Sequence, residues 1–191
     1  MKQLFLIFIL STSITSISQA QLGGMRAYAG ISTMINQDVN VNPNGYSYSG
    51  YHLGADGRIM SGTMSFLLGG RYTIVSRTPQ ESIKLFGHDS NISILNGRVG
   101  LDYSIYSFRD FFRVRTKVLG SFDIVLNITG EAIAVPAYNL NDGWFGGVTG
   151  LGIDVGSFIF DIEYEFGILN AYNKKPDSKF NSLTISTGFF F

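Results

Sequence analysis

Asp161, Glu163 and Glu165 stand two residues apart in one run, and Arg113, Arg115 and Lys117 do so in another. A spacing of two places each set on one face of an extended strand. The same parity groups Asp56 with Arg58 and Arg98 with Asp102, and adds Arg71, Asp123 and Asp154 from neighbouring runs. Charges of both signs that face one interior have three chemical uses. They can neutralise one another as ion pairs, because a buried charge is costly unless paired and hydrogen-bonded. They can line a polar path for ions or small solutes. A pair of carboxylates among them can also supply an acid and a base. Ion pairing is the expectation here, since both signs are present and no catalytic motif accompanies them.

Other chemistries find less support. There are two histidines, His52 and His88, and no cysteine, so thiolate chemistry, disulfides and cysteine zinc sites are excluded. No carboxylate cluster has metal-ligand spacing, and neither a metal nor another cofactor is expected. Ser47 and Ser49 lie close to His52 in sequence, which leaves open a lipid-modifying hydrolase or acyltransferase, but no motif links the three. Gly146, Gly147, Gly150 and Gly152 do not fit a G-x-G-x-x-G nucleotide loop, and close packing of a sheet wall explains them better. With a formal net charge of zero, the chain offers no basic surface for nucleic acid.

The elements that must position the charges read as strands. Only 15% of the 191 residues are charged, while 16 Phe and 10 Tyr favour a pleated sheet. Residues 1–20 form a cleaved signal peptide, with Lys2, the apolar run Leu4 to Leu10, and Ser18-Gln19-Ala20 at the cleavage site. Residues 21–191 form one domain of eight segments: 25–34, 51–60, 64–75, 91–105, 113–126, 145–155, 158–169 and 181–191. Long polar connections (35–50, 76–90, 127–144 and 170–180) alternate with short ones (61–63, 106–112 and 156–157). That alternation predicts an all-β fold, an eight-stranded antiparallel up-and-down transmembrane β-barrel with tight turns at one end.

Parity separates two faces. Phe158, Phe160, Ile162, Tyr164 and Phe166 oppose the 161–165 carboxylates; Leu95, Val99, Leu101 and Tyr103 oppose Asn96, Arg98 and Asp102. Segment 64–75 is less clean, with Leu67 among polar residues, and segment 25–34 is ambiguous because Arg26 and Tyr28 share a face. A soluble lipocalin-like barrel would alternate as well, with its charged face outward. Gly and Ser on the charged face favour a crowded interior instead. So do aromatic residues near segment ends, Tyr51, Tyr72, Trp144 and Phe145 at one rim and Tyr103, Tyr106, Phe108 and Phe158 at the other.

The C-terminal run Leu183-Thr184-Ile185-Ser186-Thr187-Gly188-Phe189-Phe190-Phe191 resembles the assembly signal of outer-membrane barrels, with Leu183, Ile185, Phe189 and Phe191 in its apolar positions and Thr187 departing from it. Over nearly its full length the mature chain resembles the small bacterial outer membrane β-barrel families, OmpA-like and OmpX-like barrels among them. The resemblance implies residence in the outer-membrane lipid of a Gram-negative cell and insertion by the barrel-assembly machinery. The expected role is non-enzymatic, in envelope integrity or surface contact, with a plugged lumen and a monomeric state. Loops 35–50 and 127–144 are the candidate ligand-binding surfaces. A narrow channel or an accessory barrel for secretion or transport is the alternative, and a lipid-modifying enzyme using His52 the second.

Overall fold

The computed structural model describes residues 23–36, 47–78, 91–109, 111–129, 140–172 and 178–191. The expected signal segment, His88, and much of loops 35–50 and 127–144 lie outside these residues. Eight strands, β1 (Gly23–Asn36), β2 (Ser47–Ser61), β3 (Met64–Thr78), β4 (Asn91–Phe108), β5 (Phe112–Ile128), β6 (Gly143–Val155), β7 (Phe158–Gly167) and β8 (Phe180–Phe190), pair antiparallel in chain order. β8 returns to β1 and closes the barrel, so no strand edge is left unpaired. Reciprocal backbone hydrogen bonds between Met25 and Phe191, at 2.8 and 2.9 Å, secure the seam.

Short turns gather at the end that also holds the first and last strand residues. Two are made by glycines in the left-handed region, Gly62 (φ 64°) and Gly156 (φ 58°). Most strands run beyond their expected bounds. β2 begins at Ser47 rather than Tyr51, because Ser47 to Gly50 pair with both neighbours yet carry no apolar alternation to announce it. β7 stops earlier, at Gly167; the amides of Ile168 and Leu169 both turn to the Phe145 carbonyl, which ends the ladder.

The faces segregate as parity requires. Outward residues are apolar around the whole circumference: at mid-barrel, Leu53 is 64% and Val118 67% exposed. An apolar belt on this scale far exceeds the patches of a soluble monomer. Most charged residues of the strands point inward and are buried, which is the reverse of a soluble barrel. Tyr51, Tyr72 and Phe145 stand outside near the loop end, and Tyr103, Tyr106, Phe108 and Phe158 outside near the turns. Trp144 does not belong to that rim. It is 3% exposed and points into the lumen, because its parity on β6 is opposite to that of Phe145.

Candidate functional site

The interior is stratified along the barrel axis. At the turn end, Arg58 reaches Asp102 (3.2 Å) and Asp154 (3.4 Å), and its guanidinium lies 5.3 Å from the centre of the Phe190 ring. Arg115 joins the same carboxylates, Asp102 at 2.6 Å and Asp154 at 2.7 Å, and adds Asp161 at 2.9 Å. One level further in, Arg26 holds Asp56 through two nitrogens and Asp161 at 2.9 Å. Lys117 bridges Asp161 (2.9 Å) and Glu163 (2.8 Å). Arg98 grips Glu163 with both terminal nitrogens, at 2.9 and 2.6 Å. Arg71 then links Glu163 (3.4 Å) to Glu165 (3.0 Å) and donates to Thr184. Planar, two-pronged arginine contacts of this kind are the strong form of ion pair.

Seven strands, β1 through β7, supply these charges, and β8 contributes the Thr184 hydroxyl. The wall makes room for them. Gly69 lies directly across from Asp56 and Gly152 across from Asp161, and a Cβ at either glycine would overlap the facing carboxylate. Gly54 does the same for the Tyr28 ring. Tyr28 in turn lies beneath the guanidinium groups of Arg26 and Arg98, each 5.5 Å from its centre. That stack explains why Arg26 and Tyr28 share a face. Arg26 was missed as a member of the set because an aromatic neighbour blurred the parity of its strand.

Two residues of the expected set stand apart. Arg113 is only half-buried at the turn end of β5, across from Asp154. Asp123 is buried near the loop end, where it accepts from the Asn96 amide at 2.9 Å and lies directly beside the Glu165 carboxyl. Ser121 donates to Glu165 at 2.5 Å beside it.

His52 faces the lumen rather than the outer surface. It is 2% exposed and lies 2.9 Å from both the Ser32 and the Ser186 hydroxyls, so its serine neighbours are these two and not Ser47 or Ser49. Leu67, the irregular residue of β3, packs with Leu119 and Val148 as a small apolar patch within the wall of the lumen.

Above the charges the interior turns apolar. Met34, Tyr48, Val75, Ile92, Ile94, Trp144 and Phe180 point inward from six strands at the loop end. Ala171 and Tyr172, from the β7–β8 connection, close over them. This connection is fixed by the Asn141 amide on the Ala171 carbonyl (2.8 Å) and by a bridge between Leu140 and Tyr172. Burial, reinforced by the neighbouring Tyr48, holds the Tyr172 phenol in its neutral form well above the ordinary tyrosine range. The cap was legible in part: Ile92 and Ile94 share parity with Asn96 and Arg98, an apolar pair on the charged face.

Leu183, Ile185, Phe189 and Phe191 all lie on the outer face, and Thr187 falls in the same row. Phe189 stacks on Phe158 across the β7–β8 pair, with centres 4.8 Å apart.

A closed eight-stranded antiparallel barrel is the architecture of the small outer-membrane barrels. Two such barrels are among the solved structures similar to this chain. One is Ail, the attachment invasion locus protein of Yersinia pestis, determined with the heparin analogue sucrose octasulfate; it is 14% identical, with a TM-score of 0.52 over 90% of this chain and 100% of that one. The other is Neisserial surface protein A, 10% identical, with a TM-score of 0.56 over 88% of this chain and 97% of that one. No family model matches the chain, and no curated protein sequence does.

Proposed function

We propose that this chain is an outer-membrane barrel with a sealed lumen that acts without catalysis, as a rigid scaffold presenting its long loops for envelope or surface contact. The observation that carries the reading is the crossing of the lumen by ion pairs such as Arg71–Glu165 and Arg98–Glu163, which join β3 and β4 to β7 on the far side of the wall. An eight-stranded barrel is just wide enough for side chains to fill it, and here they do so with charges at one end and an apolar cap at the other. The exterior supports lipid as the surroundings, since every strand presents apolar residues outward. His52 supports the non-enzymatic side: its two serine partners face the lumen, away from any lipid substrate.

Conductance of the purified, refolded chain in planar bilayers tests the seal. The expected record is flat, and a steady open level would replace the scaffold by a narrow channel. Gel mobility of the membrane fraction with and without boiling tests the setting, with a heat-dependent shift expected. His52→Ala is expected to leave the lipid A profile of the host cell unchanged; an altered profile would make the chain a lipid-modifying enzyme. Ail was determined with a polysulfated sugar, and a surface ligand held by loops 35–50 and 127–144 of this chain belongs to the same reading.

A further inference from the structure

Asp123 is the exception among the buried carboxylates of the lumen. Asp56, Asp102, Asp154, Asp161, Glu163 and Glu165 each touch at least one arginine or lysine. Among the described residues no cation is in ion-pair contact with Asp123, although it is only 6% exposed. Its Oδ1 accepts from Asn96, and its Oδ2 receives no hydrogen bond. A cavity of about 20 Å³ lies against it, enough for one water-sized occupant. Glu165, Arg71, Ser32, Thr73 and Ser182 line the rest of that cavity. Arg71 is engaged with Glu163 and Glu165 through its terminal nitrogens. This corner therefore holds two carboxylates against one shared guanidinium, and it is deficient by one positive charge.

We propose that Asp123 and Glu165 form an internal site for one monovalent cation, supplied as a sodium ion or as a proton. Two carboxylates, with Ser32, Thr73 and Ser182 among the residues lining the cavity, offer the hard oxygen chemistry such an ion takes. A divalent ion would overcompensate the deficit beside Arg71. The groups around the pair are Arg71 from β3, Asn96 from β4, Ser121 from β5 and Trp144 from β6, with Glu163 from β7 and Thr184 from β8 behind Arg71; His52 on β2 approaches through its contact with Ser32. Met34, Ile94, Trp144 and Phe180 of the apolar cap line the same cavity on its loop side.

The test is the urea midpoint of the full mature barrel folded in detergent, titrated with sodium against choline at constant ionic strength and repeated across pH. Asp123→Asn and Glu165→Gln are measured alongside. A midpoint that rises with sodium in the native chain and not in either variant establishes the metal ion, because a ligand that binds only the folded state stabilises it in proportion to the logarithm of its concentration. A midpoint indifferent to sodium, but whose offset from Asp123→Asn changes with pH, establishes the proton. A native chain that tracks Asp123→Asn through both titrations overturns the site. So does an Asp123→Asn barrel that refolds as poorly as Glu163→Gln, which would mean that Asp123 is needed charged and unaccompanied.

Discussion

The two ends of the lumen are filled by opposite means. Toward the turns, side chains that would each be costly in isolation are made tolerable by two or three partners apiece; toward the loops, Trp144, Phe180, Tyr48 and their neighbours exclude water by apolar packing. The two layers fail differently. Ion pairs in a dry interior are demanding, because losing one partner strands the others. An apolar layer loses contacts in proportion to what is removed.

The largest effect is expected where one carboxylate serves most cations. Glu163→Gln leaves Arg98, Lys117 and Arg71 short of a counter-charge and is expected to cost about 3–5 kcal/mol of folding stability. The urea midpoint in detergent reads this; a loss below about 1 kcal/mol would mean that water already reaches the network. Trp144→Ala opens the cap and is expected to cost about 3 kcal/mol. If the two layers act independently, the double variant should lose the sum to within about 0.5 kcal/mol. A clear departure from additivity would join the layers into one unit.

Glycines give a smaller and sharper contrast. Gly69→Val forces a side chain into Asp56 and is expected to cost about 1–3 kcal/mol. Gly97→Ala points outward on β4, meets only the Phe122 carbonyl at an ordinary 3.9 Å, and should change stability by no more than about 0.5 kcal/mol. The smallest expected effect is a local one in alkali. Tyr172 is held neutral by burial in the folded chain, so its contribution to closure is complete below the ordinary tyrosine value near about pH 10 and declines as pH rises past it. Trp144, the single tryptophan, lies in the same cluster and reports the change by fluorescence. Tyr172→Phe should remove the dependence without opening the cap at neutral pH.

Much of this architecture was legible in the sequence because two independent patterns coincide. The period of two assigned Asp161, Glu163 and Glu165 to one face, and the alternation of long and short connections ordered the strands. What escaped was decided by contacts between strands distant in sequence. Arg26 and Tyr28 look contradictory along β1 alone, and make sense only as a stack that includes Arg98 of β4. Leu67 looks misplaced until Leu119 and Val148 meet it. Trp144 looks like a rim aromatic because residue type, rather than parity, dominated its reading. The positions of Asp123 and Arg113 at opposite ends of β5, away from the dense centre of the network, carry no local signal.

The glycine notches in the wall do more than provide space. Inside–outside alternation specifies each strand only modulo two, so sliding one strand by two residues past its neighbour leaves every apolar side chain facing outward. Such a slip would satisfy the membrane and go uncorrected by the hydrophobic effect. It would carry Gly69 away from Asp56 and set Leu67 or Arg71 against that carboxylate in its place. Bump and notch thus act as the teeth of a key, admitting one alignment from a ladder of otherwise equivalent ones.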